Sequence, residues 1–176
     1  MWAMNSCFEC GYLYASTARH DIAPTLSALA QSYANRLAAS SDDVLRSHLL
    51  PQTWSALEYA CHVRDVLTVQ DERIQLALTE DEPTLAPMGR DELVQQRQYN
   101  AQQPGTVAEA ITAAAAGLAV SLERLSDSDW RRTAVYSWPN QSIRTLEWIG
   151  RHTVHEMRHH LMDFDRNTER AASESR

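Results

Sequence analysis

Apolar residues recur at intervals of three and four along four long stretches of this chain, separated by polar and proline-bearing segments. The first stretch, residues 22 to 39, carries Ile22, Leu26, Leu29, Tyr33 and Leu37 on one helical face, with Pro24 in the first turn, where a missing N–H costs little. Ser40, Ser41, Asp42 and Asp43 break that pattern, and a connector runs to Pro51. Ser55 and Glu58 are spaced as a capping box, and Leu57, Val63, Val66, Leu67, Ile74 and Leu78 continue a stripe to about Thr79, ahead of Pro83 and Pro87. Residues 90 to 99 are polar, a short surface helix or a loop. Thr106 and Glu109 form another capping-box pair, opening a third helix that runs through the alanines 113 to 116 to about Leu125. Residues 127 to 141 read as an irregular linker holding Trp130, Tyr136 and Trp138. The fourth helix is expected from near Ser142 to about Phe164, with Leu146, Ile149, Met157, Leu161 and Phe164 facing inward.

This pattern predicts an all-α protein, an up-down four-helix bundle over residues 22–165. An N-terminal segment, 1–21, precedes it, and a polar, frayed tail, 166–176, follows. Only 5 glycines in 176 residues agree with a helical chain long enough for one core. Sixteen basic and 23 acidic side chains leave a net charge of −7 without a basic run, which argues against a nucleic-acid partner. No apolar run approaches the roughly 20 residues that span a bilayer. Met1 to Leu13 lacks the basic start of a signal peptide, so the expectation is a cytoplasmic protein with no membrane partner. Cys7, Cys10 and Cys61 are an odd set that suits a reducing compartment.

Seven histidines are present, and four of them fall within residues 152 to 160. His152, His155 and His159 lie at i, i+3 and i+7 on one helical face. His155 and His159 form H-x-x-x-H, a spacing that lets two imidazoles on adjacent turns bind one divalent ion. A third ligand must come from elsewhere, and His62, in mid-helix among apolar residues, is the candidate. Asp65 is placed to accept the free N–H of a ligating His62, whereas Glu156 points about 100° away from His155. For both carboxylates a surface group on a long helix is the simpler reading. Arg158 and Arg64 are either anion-binding groups or exposed helix arginines. Tyr59, one turn before His62, is a proton donor or a core residue. His152 would line the pocket above the metal, while His160 faces a neighbour or solvent. Trp138 and Trp148 are open between pocket and core. Cys7-Phe-Glu-Cys10-Gly11 has the form of half a zinc knuckle. A histidine such as His20 would complete a second metal site; a redox pair or two reduced thiols are the alternatives, and reduced thiols are the simplest.

The segments Trp54-Ser-Ala-Leu-Glu-Tyr-Ala-Cys-His62-Val-Arg-Asp-Val and His155-Glu-Met-Arg-His159-His160-Leu resemble those of the DinB-like superfamily, in the same order and over nearly the whole chain, from about Cys7 to Phe164. That group includes thiol-dependent S-transferases, the metal-binding domain of mycothiol-dependent maleylpyruvate isomerase, and metal-dependent hydrolases. The resemblance implies His62, His155 and His159 as facial ligands of zinc or nickel, with positions left open for water or substrate. An open three-imidazole site suits catalysis, since such a metal acidifies a bound thiol or water or polarises a carbonyl. The implied function is transfer of a low-molecular-weight, mycothiol-like thiol to an electrophilic small molecule. Hydrolysis, a lyase, isomerase or cyclase step, and a non-catalytic metal-stabilised stress protein are the alternatives. Members of this group often dimerise, so a homodimer is expected.

Overall fold

The computed structural model of the chain describes residues 6–50, 52–137 and 140–174. Met1, Pro51 and Trp138, named above, lie outside them. In chain order the helices are α1 (Ile22–Ala39), α2 (Asp42–Arg46), α3 (Ala56–Thr79), α4 (Arg90–Gln96), α5 (Pro104–Glu123), α6 (Asp127–Trp130) and α7 (Leu146–Glu174). The four long ones, α1, α3, α5 and α7, make the expected bundle. Each packs on two others: α5 and α7 both flank α1, and both flank α3. Helices α1 and α3 therefore sit on one diagonal, and α5 and α7 on the other.

The capping box at the start of α3 is present in full. Ser55 Oγ accepts from the Glu58 N–H at 3.2 Å, and Glu58 Oε2 accepts from the Ser55 N–H at 2.8 Å. The box expected at Thr106 and Glu109 is not. Helix α5 already starts at Pro104 behind Gln103, because a proline in the first turn brings its own helical φ, so Thr106 and Glu109 lie inside the helix. By length and composition alone α5 is apolar enough to cross a membrane, which the sequence reading denied of any segment. In the bundle its Val107, Ile111, Ala115, Leu118 and Leu122 are buried on one face.

Residues 127–136, expected to belong to an irregular linker, are ordered. They contain α6 and the first strand of a hairpin, β1 (Thr133–Tyr136) paired antiparallel with β2 (Ser142–Thr145), Tyr136 opposite Ser142. Strand β2 takes the residues expected to begin the last helix, so α7 starts at Leu146. It then runs ten residues past Phe164, making 166–174 helical rather than frayed. The inward face simply continues: Phe164, Asn167 and Ala171 are all buried, and Asn167 Nδ2 donates to the Trp54 carbonyl at 3.1 Å. Val135 exchanges backbone hydrogen bonds with Pro83 and Leu85, tying the chain after α3 to the hairpin. Before α1, residues 6–16 fold back on α7 through a tight turn at Cys7–Gly11 and a short helical turn at Tyr14–Ser16.

Candidate metal centre

Helix α7 carries donor side chains at 152, 155, 156, 159, 160 and 163. At 3.6 residues per turn they fall on two neighbouring strips, one through His152, Glu156, His160 and Asp163, the other through His155 and His159. The first strip meets His62 of α3. One donor atom from each of His62, Glu156 and His160 lies within 4.8 Å of the others, and the two imidazole rings stand 4.8 Å apart, nearly perpendicular.

The electrostatics of this trio follow from burial and from its neighbours. His62 is 3% exposed, and burial, together with the charge of His160, pulls its pKa down to about 3, so the ring is neutral at physiological pH. Burial acts in the same sense on His160, but Asp163, 3.1 Å from Nδ1, and Glu156, 3.7 Å from Nε2, outweigh it and push that pKa up to about 9. For Glu156 burial would raise the pKa, yet His152, His155 and His160 around it hold the carboxyl well below its usual range. His62 Nδ1 is buried without a hydrogen-bond partner. An unpartnered buried nitrogen beside a second imidazole and an ionised carboxylate is a donor set that fits a divalent cation. An ion binding there would displace the proton from His160 Nε2, with Asp163 still accepting from Nδ1–H and fixing the ring.

The grouping of His62 with His155 and His159 implied by the resemblance is not the one the fold makes. His155 and His159 lie on the other strip of α7, against the N-terminal segment, where Cys7 and Cys10 are their neighbours. Glu156 and His160, both passed over as ligands, take the places beside His62. Glu156 is offset by about 100° from His155 around α7, and it is His155 that faces away from α3. Asp65 does not serve His62; it binds Arg64 and Arg97 at 2.8 Å each and accepts from the Tyr99 hydroxyl. Arg158 is exposed, stacked over Tyr12, and Arg64 is held by Asp65 and Gln102, so neither reaches the trio. Tyr59 stacks on His160 with ring centres 5.6 Å apart. His152 lies beside Glu156 of the trio, and Trp148 stacks on it at 4.6 Å. His20 is exposed and faces Asp21.

A sequence model of the DinB superfamily matches residues 25–162. The chain belongs to the DinB superfamily. A search of curated protein sequences finds no match. Among solved structures, this DinB protein is similar to YfiT from Bacillus subtilis, described as a probable metal-dependent hydrolase with an unusual four-helix bundle topology. The TM-score is 0.74 at 17% identity, covering 84% of this chain and 86% of that one. It is also similar to the mycothiol-dependent maleylpyruvate isomerase, with a TM-score of 0.65 at 14% identity, covering 82% of this chain and 59% of the isomerase. At these identities the likeness is one of fold. Against the three-histidine set that the resemblance implies, this DinB chain has a carboxylate, Glu156, in one of the places facing His62.

A cavity of about 360 Å³ is lined by two of the trio, His62 and Glu156, together with His152. Arg73 and Arg90 bring positive charge to it, Met88 and Val66 an apolar surface, and Tyr136 a hydroxyl that accepts from Arg73 at 2.9 Å. Pro87, Met88, Gly89 and Arg90, leading into α4, and Tyr136 of the hairpin supply much of this wall, and neither segment carries a periodic signal. His152 is fully enclosed, with its pKa pulled down to about 4 by burial. Its Nδ1 lies 2.7 Å from the Tyr14 hydroxyl, and its Nε2 faces Glu156 Oε1 at 3.7 Å. The tautomer suited to both neighbours accepts from Tyr14 and turns its N–H toward Glu156.

Proposed function

We propose that this DinB protein is a metal-dependent enzyme in which His62, Glu156 and His160 hold one divalent ion, zinc or nickel, and that it transfers a low-molecular-weight, mycothiol-like thiol to a small anionic electrophile. The observation that carries this reading is a donor trio two of whose members, His62 and Glu156, line a cavity that Arg73 and Arg90 also line. A bound ion would supply Lewis acidity, making a thiol a thiolate at neutral pH. The arginines would hold the anionic group of the substrate, and Met88 and Val66 would exclude water from its apolar part. His152 orients Glu156 rather than taking a proton, because the tautomer its neighbours favour has no lone pair toward the cavity. A thiol needs no such base once acidified, whereas water gains from one. Hydrolysis is the second reading, supported by the likeness of fold to YfiT, described as a probable metal-dependent hydrolase.

The test is conjugation of monochlorobimane, and of maleate as an anionic electrophile, to mycothiol, bacillithiol or glutathione by metal-loaded protein purified without an affinity tag. Conjugation that needs the metal and falls to the background rate in His62→Ala and Glu156→Gln is expected. Failure with all three thiols, in protein shown by mass spectrometry to carry its ion, would overturn thiol transfer in favour of hydrolysis.

A further inference from the structure

Two features with separate expected uses meet in space: the N-terminal Cys-x-x-Cys and the H-x-x-x-H of α7. One donor atom from each of Cys7, Cys10, His155 and His159 lies within 4.8 Å of all the others, and Cys7 Sγ is 3.7 Å from His159 Nδ1. A tetrahedral zinc ion with bonds of about 2.3 Å to sulfur and about 2.0–2.1 Å to nitrogen spaces its ligands about 3.3–3.8 Å apart. We infer that Cys7, Cys10, His155 and His159 form a second, closed zinc site, separate from the trio at His62 and independent of any reaction there.

The backbone is shaped for it. Gly11 N–H donates to the Cys7 carbonyl and Cys7 N–H to the Tyr12 carbonyl, both at 2.9 Å, closing a tight turn that carries both thiols. Gly11 sits at φ +70°, a conformation that costs a glycine little. The turn buries Cys7 and His155 to 1% exposure each while leaving Phe8 at its tip in solvent. On the other side, one face of α7 offers two imidazoles a turn apart.

The imidazoles are oriented from behind. His155 Nδ1 lies 3.2 Å from Glu156 Oε1 and 3.4 Å from the Tyr14 hydroxyl. His159 Nε2 lies 3.4 Å from Glu9 Oε2 and 3.6 Å from Asp163 Oδ2. Carboxylates at those nitrogens favour N–H there, so His155 offers Nε2 and His159 offers Nδ1 to the thiolates' side, the outer-sphere arrangement of ligating histidines. Four protein ligands leave no position for substrate, so the role is structural. The ion would clamp residues 6–16 onto α7 and thereby seat Tyr14 against His152.

The experiment replaces the metal with cobalt(II) in tag-free protein and measures both ions per chain and the thiolate-to-cobalt charge-transfer absorption. The expected wild type holds two ions and shows the band. Cys7→Ser and Cys10→Ser should each drop to one ion and lose the band, whereas His62→Ala should drop to one ion and keep it. Wild type with one ion and no band overturns the second site and leaves the His62 trio standing. One ion with the band, unmoved by His62→Ala, overturns the trio and keeps the second site. A Cys7–Cys10 disulfide in protein purified under reducing conditions overturns the inference outright. Should the cysteine variants fail to fold by circular dichroism, the wild-type stoichiometry and band decide alone.

Discussion

Replacing Asp65 by asparagine removes the charge that two arginines share. Its side chain is 4% exposed, and it binds Arg64 and Arg97 at 2.8 Å each while accepting from the buried Tyr99 hydroxyl. Loss of one partner from a fully buried ion pair costs about 3–5 kcal/mol, because the other charge is left without compensation. Here the guanidiniums recover part of their hydration, since Arg64 is 17% and Arg97 53% exposed. An asparagine also keeps one acceptor oxygen, which brings the expected cost to about 2–3 kcal/mol. For a chain of this length that lowers Tm by about 4–12 °C, and it lowers the urea midpoint by about 1 M with an unchanged slope. Urea unfolding followed by circular dichroism measures this, with bound metal counted in the same preparations. Metal content should not change, because Asp65 ties α3 to the Arg97–Tyr99 turn and makes no hydrogen bond to His62. An unaltered midpoint with lost metal would refute this account and make Asp65 the orienting partner of His62.

Three further outcomes are expected. Ser55→Ala removes the cap of α3 and a 2.8 Å hydrogen bond to Asn100 Oδ1, and should cost about 1.5–2 kcal/mol in urea unfolding. Gly117→Ala, on the exposed side of α5 with no atom within 4 Å of the added methyl, should stabilise by about 0.5–1 kcal/mol through helix propensity; a loss of stability would expose a contact the structure does not contain. Burial pushes the Cys61 thiol up to about 12, so at pH 8 about one molecule in 10⁴ carries a thiolate there. N-Ethylmaleimide should leave Cys61 unlabelled in the native protein and label it in urea, as read by peptide mass spectrometry.

The helices were legible because their signals are local. The periods at Ile22–Leu37 and Leu57–Leu78 and the Ser55–Glu58 cap need nothing from the rest of the chain. The donors on α7 show where local spacing misleads. His155–His159 and Glu156–His160 have the same separation, and spacing cannot choose between them. The apolar stripe could have done so. At 100° per residue, His160 lies about 40° from Leu146 around the helix and Glu156 about 80°, whereas His159 lies about 140° and His155 about 180° away. Leu146, Ile149, Met157 and Phe164 point to the core, so 160 and 156 are the positions that can meet α3. His155 is buried all the same because residues 6–16 cover it, a contact across some 140 residues that no periodicity records. The arginines of the cavity wall escaped for a related reason. Arg73 is held at the cavity by Tyr136, brought in by the hairpin, and by the Ala86 carbonyl, both distant in sequence from its own helix turn.

The diagonal placement of successive helices bears on how the chain reaches this structure. Of the long helices that follow one another in sequence, only α3 and α5 are packed neighbours; α1 waits for α5, and α3 for α7, each across more than 60 residues. Closing loops of that length before contacts reward them slows folding relative to a bundle in which each helix lies beside the next. The nucleus should therefore form between α3 and α5, so truncations at Ile111 and Leu118 should retard refolding, while those in the Cys7–Tyr14 segment should chiefly hasten unfolding.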